Sequence, residues 1–442
     1  MSPSDSKVSS PGSGDSNGKS ESSSSKSNPL IQELPASSHK SDTVSHKSGD
    51  SAQKSSASPP PATDPELKDW HHISSLTTKD GSYFRVKFDD LPAMNPNIIP
   101  HPSKADTWYV VAQRFKFTSF EQFWFTELVC DASFKNEVLQ CQESPMILPI
   151  AATASGKCEG EISGFVQNVG PHDGRVFYGP DSPYIIYGSN SKHNCFGLWT
   201  QDFRMLVASN STSNFEEGFR FPVDLQRPPP YRPVEKNWFM FWDAQKQPYL
   251  HYDILPQRVF AKLNINGSVG PDLGEVTRVA DNKCLNAYIP KIPKDATEDI
   301  HQATNSIAVS LCKRSDPTCK RTVDNTYILN VYQHKKYYFY HGVYEPYVML
   351  HQENAPFGLY GVSSKPIWVA GRKKEITLSN GQVQKEMVYV TSVNWKKAGN
   401  NYHGFLDDVL MVGFGVEDKS AGAIDVTAED LIGKLSLCSN VK

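Results

Sequence analysis

No stretch of the 442 residues approaches the roughly 18 consecutive apolar positions that span a bilayer; the longest runs, such as Val409 to Phe414, stop far short. No long Lys/Arg run or basic helix face occurs, and the net charge is −3, so the electrostatic footprint of a nucleic-acid partner is missing. The start, Met-Ser-Pro-Ser-Asp-Ser, has neither the charged nor the apolar part of a signal peptide, which taken literally keeps the chain in the cytosol. Motifs for bound metals and nucleotides are missing too. There is no C-x-x-C, H-E-x-x-H or D-x-D, no G-x-G-x-x-G and no P-loop, and His71-His72 stand alone. No metal is implied, and the missing D-x-D removes the usual ion clamp of an α/β glycosyltransferase. The one G-x-S-x-G, Gly14-Asp15-Ser16-Asn17-Gly18, falls in the Ser-rich first 69 residues and not at a strand-to-helix turn, so there is no candidate serine nucleophile.

Aromatic residues are absent from the first 69 positions, which contain 22 serines and end near Pro59-Pro60-Pro61. Such a segment cannot bury a core, so residues 1–69 read as a disordered leader or stem. All 8 Trp, 19 Tyr and 22 Phe fall in residues 70–442, which must hold the globular body.

The 8 cysteines qualify the cytosolic reading. Cys130/Cys141 and Cys312/Cys319 each close a short loop suited to a disulfide, although eight cysteines allow about 105 connectivities and free thiols are the alternative. Sequons at Asn210-Ser211-Thr212 and Asn266-Gly267-Ser268 lie in polar stretches that would tolerate a glycan. A Ser/Pro-rich leader before a disulfide-bearing body resembles the stem of a Golgi type II enzyme, and the secretory pathway is the compartment expected.

The body reads as strands. Thr107 to Phe117 is aromatic and β-branched, and Arg175 to Tyr187 is two strand-like runs around Gly-Pro-Asp-Ser. Similar pairs recur at Trp238 to Tyr252, at Lys336 to His351, and at Ile376 to Thr391 around Asn380-Gly381. Units starting near residues 95, 173, 236, 341 and 408 predict an all-β five-bladed β-propeller, with a pair of β-sandwiches as the rival. Thr427 as N-cap predicts a short C-terminal helix.

In a propeller the polar turns that open the inner strands converge on one funnel. They carry Asn95, Asp173 with Arg175, Lys236 with Asn237, His341 with Tyr344 and Glu345, and Asp408. Carboxylates, amides and aromatic faces together suit a sugar, whose hydroxyls need paired donors and acceptors and whose ring face stacks. Asp173, beside Gly174 and Arg175, is the candidate acid. Glu345, in an aromatic stretch, is a second candidate, with an ordinary salt bridge as the alternative. Asp407 and Asp408 point to opposite faces, and Asp408 is favoured. Arg114, Arg175 and Lys236 are candidates to hold a phosphate or diphosphate.

The series Asn95-Pro96, Asp173-Gly174-Arg175, Glu235-Lys236-Asn237-Trp238, His341-Gly342 with Glu345-Pro346, and Phe414-Gly415-Val416-Glu417-Asp418 resembles the five-bladed propeller proteins related to β-1,2-mannosyltransferases and β-mannoside phosphorylases. Uncharacterised fungal glycosyltransferase-like members look most similar. The resemblance implies a glycosyltransferase that moves a sugar, mannose first, from a nucleotide-sugar donor such as GDP-mannose to a glycan acceptor. It implies Asp173 as acid, with Glu345 or Asp408 assisting and Asn95, Arg114, Arg175, Lys236, Asn237, His341 and Tyr344 binding substrate. His172-Asp173-Gly174-Arg175 departs from the relatives' Glu-Asp-Pro-Arg turn at His172 and Gly174. Asn95 stands where many propeller glycosidases carry a catalytic Asp, which argues against a simple two-carboxylate hydrolase. A phosphorylase or hydrolase acting on β-mannosides and a non-catalytic glycan-binding propeller are the alternatives.

Overall fold

A computed structural model describes residues 67–117, 122–154, 156–207, 218–293, 297–338, 341–378 and 380–441, all within one compact unit. The predicted leader lies almost wholly outside the described residues, as does the Asn210 sequon. Among the described residues nearly all regular structure is strand. The exceptions are two α-helices, Arg278–Tyr288 and Ala428–Ile432, and short 3-10 turns. The Thr427 hydroxyl accepts from the Asp430 amide at 3.0 Å, capping the second helix.

Local hairpins form where turn chemistry marks them. His172–Tyr178 pairs with Pro183–Asn190 across a tight turn, and Phe239–Trp242 pairs with Pro248–Asp253. The Asn380-Gly381 turn, with Gly381 at φ 82°, closes only a two-residue ladder. Val388–Trp395, expected as its second arm, pairs instead with Val409–Val416.

Five separate blades are not what the strands make, and the propeller is corrected here, along with the family resemblance that rested on it. The largest sheet has eight strands on one path. It runs Val388–Trp395, Val409–Val416, Ser420–Thr427, Phe84–Lys87, Val138–Cys141, Phe123–Lys135, Trp108–Phe117 and Met94–Pro100. Its two ends meet: the Thr391 and Ser392 hydroxyls donate to the Pro96 carbonyl at 3.2 and 2.9 Å, so the sheet rolls into a nearly closed barrel. The units expected to open two different blades near residues 95 and 408 therefore share one sheet. The cause is Phe84–Lys87, which pairs antiparallel with Ser420–Thr427 and parallel with Val138–Cys141, joining segments far apart in the chain. A parallel pairing of that separation leaves no trace in local alternation.

Beside the rolled sheet lie open sheets of seven, four and three strands. The seven-stranded one is built on Thr326–Tyr338 and His341–Gln352; the four-stranded one holds His172–Tyr178. Phe84, Ile98, Val110, Leu128, Leu139 and Met411 form one core cluster. Val331, Val348, Val390, Trp395, Val412 and Phe414 form another that joins the rolled sheet to the seven-stranded one. Each such fully buried side chain contributes about 1.5–3 kcal/mol.

All eight cysteines pair, as Cys130–Cys141, Cys158–Cys195, Cys284–Cys438 and Cys312–Cys319. This set is consistent with a protein that matures outside the reducing cytosol. It fits any oxidising compartment, so the specific Golgi assignment is set aside. No helix among the described residues is long and apolar enough to cross a membrane.

Candidate active site

The site is built where His172–Tyr178 begins. Asp173 holds φ 49°, a left-handed conformation that Asp and Asn tolerate better than other side chains. Polar groups from three strands of the rolled sheet clamp its main chain. The Asp173 amide donates to Gln113 Oε1 at 2.6 Å and the Gly174 amide to Glu127 Oε1 at 2.8 Å. Asn97 Nδ2 donates to the Gly174 carbonyl at 2.7 Å, and its Oδ1 accepts from the Val176 amide at 3.2 Å. Gly174 is required here, because a Cβ would lie 2.7 Å from Glu127 Cδ.

Asn95, also left-handed at φ 58°, donates from Nδ2 to Asp173 Oδ1 at 3.5 Å. Its Oδ1 packs where a Cβ on Gly415 would be 2.3 Å away, so the end of Val409–Val416 meets the same mouth. Three buried polar atoms around this turn have no partner among the described residues: Asn95 Oδ1, Glu127 Oε2 and His172 Nε2. Such atoms are costly unless something supplies the missing hydrogen bond.

Aromatic rings line the surroundings. His172 stacks on Phe125 with centroids 3.7 Å apart, and burial pushes its imidazole down to about 4. Tyr389 is half-buried, and its phenol is pushed up first by desolvation and then by Asp173, with a smaller contribution from Asp418. One phenol thus senses both carboxylates. Tyr344 packs on Tyr389 at 4.8 Å and is pushed up to about 12, chiefly by burial.

Of the residues singled out in the sequence, Asn95, Asp173 and Tyr344 gather at this mouth. Asn237, left-handed at φ 64°, contacts His301 Nδ1 from its side-chain amide at 3.4 Å. Lys236 is exposed, its ammonium 5.5 Å from the centroid of the Phe196 ring, against whose edge His172 packs. His341 opens its strand, but its side chain lies outside the described residues.

Four others do other work. Arg175 is buried and donates to the Trp238, Ala303 and Thr304 carbonyls, with burial lowering it to about 10. Arg114 neighbours Gln113 on a regular strand, so it faces away from the Asp173 turn. Glu345 likewise faces away from its neighbour Tyr344; it accepts from Trp70 Nε1 at 2.8 Å and pairs with Arg372 at 3.1 Å. Asp408 pairs with Arg314 at 2.6 Å. It precedes Val409–Val416, whose far end touches Asn95 through Gly415, seven residues or about 23 Å away along the strand.

Gln113, Asn97, Glu127, His172, Tyr389 and Asp418 were not singled out. Glu127 had a signal, a lone acid within Phe123-Trp-Phe-Thr-Glu-Leu-Val-Cys130, where charge is rare unless it serves a purpose. A separate cavity of about 700 Å³, lined by His101, Lys104, Tyr109 and Asp131, lies near the other end of the Trp108–Phe117 strand. Among the described residues no group of three or more His, Cys, Asp or Glu is placed to hold a metal ion.

No protein-family model and no curated protein matches the chain. Among solved structures it is similar to a β-1,2-mannobiose phosphorylase from Listeria innocua, at 11% identity and TM-score 0.43, covering 83% of this chain and 97% of that one. A glycosyl hydrolase from Bacteroides ovatus is similar at 12% identity and TM-score 0.40, over 86% and 95% of the two chains. A mannose phosphorylase from Leishmania mexicana, solved with a phosphate ion, follows at 10% and 0.37, over 82% and 93%.

The glycosyltransferase reading, with its GDP-mannose donor, is corrected by the site itself. Of the three cations expected to hold a donor diphosphate, Arg175 is committed to main-chain carbonyls and Arg114 faces away, which leaves the exposed Lys236 alone, one cation for a group that needs several.

Proposed function

We propose that the chain is a glycoside-cleaving enzyme, a phosphorylase or hydrolase, with Asp173 as the acid and mannosides as the substrates to test first. The observation that carries this reading is the left-handed, clamped Asp173 beside the unpartnered Asn95 Oδ1 and His172 Nε2. A hydroxyl-rich ligand supplies the donors and acceptors those atoms lack, and the half-buried Tyr344 ring offers a face for stacking.

In the reaction, the Asp173 carboxyl gives its proton to the glycosidic oxygen as the C1–O bond breaks, and that oxygen keeps the bonding electrons. An oxygen of phosphate or of water forms the new bond to C1. Hydrolysis also needs a base to take the proton of the attacking water, the second carboxylate of a two-carboxylate mechanism. Residues 70–442 form the catalytic body in this reading, with residues 1–69 as a leader.

The test is product analysis of β-mannobioses with and without inorganic phosphate. Mannose 1-phosphate formed only with phosphate assigns a phosphorylase, and free mannose in both assigns a hydrolase. Turnover of GDP-mannose with no cleavage of any glycoside would overturn the reading.

A further inference from the structure

Behind Asp173 lies a carboxyl to which the reaction above gives no task. Glu127 is 0% exposed at the middle of Phe123–Lys135. Its Oε1 accepts from the Gly174 amide at 2.8 Å, its Oε2 is buried without a partner, and no cation among the described residues pairs with it. An ionised carboxylate there would be an uncompensated charge out of water and beside a second acid, a state that groups escape by taking up a proton.

We propose that Glu127 is a positioning residue of this mouth, a proton-bearing carboxyl that holds the Gly174 amide and puts no charge beneath the Asp173 turn. The inference rests on reading Asp173 as the acid. Burial raises the Glu127 carboxyl well above the usual range; the Gly174 hydrogen bond opposes this and Asp173 adds to it. Met146–Ile147 pairs with the next two residues of its strand and brings no charge. The Trp108–Phe117 strand presents neutral Gln113, and Met94–Pro100 presents neutral Asn97, bonded to the same Gly174. His172–Tyr178 presents Asp173, with Arg175 committed to main-chain carbonyls and His172 uncharged above about 4. An ionised Glu127 would put a negative charge beside the carboxylate that Asp173 becomes as it gives up its proton, and so would oppose that transfer.

The test compares the full chain with Glu127→Gln, which preserves shape and can still accept from Gly174, and with Asp173→Asn. Infrared difference spectra of wild type minus E127Q should show a protonated-carboxyl band at neutral pH that disappears as the pH rises, and E127Q should retain neutral-pH cleavage of β-mannobiose. No band in the difference spectrum, or loss of neutral-pH cleavage in folded E127Q, overturns the proposal. If E127Q does not accumulate, Glu127→Met removes the same carboxyl and gives the same difference spectrum. Unchanged turnover in D173N would instead sink the reading of Asp173, while the infrared band still decides whether Glu127 carries its proton.

Discussion

The Asn95 amide reaches the Asp173 carboxylate at 3.5 Å, and both residues hold the left-handed conformation at the first turns of their strands. Two strained residues facing each other across two sheets are the mark of a site held in place by its surroundings. Asn95→Ala should keep the fold and lower cleavage of β-mannobiose, because Asp173 loses its neighbouring donor. A kinetic comparison at matched thermal stability checks it, and unchanged turnover would remove Asn95 from the site.

Gln113 accepts from the Asp173 amide. Gln113→Leu leaves that amide unpaired, at a cost of about 1–3 kcal/mol. It also frees the turn, and a displacement of about 1 Å can cost about 10²-fold in rate. Activity per folded molecule should fall further than stability alone explains.

Gly174→Ala should destabilise strongly. Its Cβ would press 2.7 Å from Glu127 Cδ, and both groups are fixed by hydrogen bonds. Overpacking of this kind costs about 1–3 kcal/mol, read as a drop in denaturation midpoint. The double variant Gly174→Ala with Glu127→Ala should recover much of the loss.

Glu345→Gln should act on stability and not on chemistry. Arg372 is 1% exposed in its side chain and would lose its anion, a loss of about 3 kcal/mol for a buried pair. Thermal unfolding should shift while kcat measured on the folded fraction stays unchanged; a selective fall in kcat would restore Glu345 as a catalytic candidate.

Acid should destabilise the fold between the ordinary histidine range and about 4. Burial depresses His172 and His403 to about 4, so the folded state binds fewer protons than the unfolded chain over that window. Stability is therefore full above the unfolded histidine pKa and is lost as pH falls through the folded one. Replacing His172 with Gln should flatten part of that fall in pH-dependent denaturant melts.

The parts of the fold legible in the sequence are those set within a few residues. Gly179 to Ser182 closes its hairpin because Gly-Pro-Asp-Ser is turn chemistry, and the hairpin at Trp242 and Pro248 is marked by the polar residues between its arms. The parallel pairing of Val86 with Leu139 joins separate regions through hydrogen bonds any residues could make, which is why the strands were readable and their grouping was not. At the site, Asn95 and Asp173 were visible because Asn-Pro and Asp-Gly mark special backbone. Glu345 and Asp408 looked equivalent to Asp173 because nothing local to either residue reveals Arg372 or Arg314, the cations that occupy them.

The most direct test of the account is the structure of Asp173→Asn bound to β-mannobiose. The glycosidic oxygen should lie within hydrogen-bond reach of the substituted side chain, with sugar hydroxyls on Asn95 Oδ1 and His172 Nε2. A disaccharide seated elsewhere, in the cavity beside His101 and Asp131 for example, with the Asp173 mouth left empty, would contradict it.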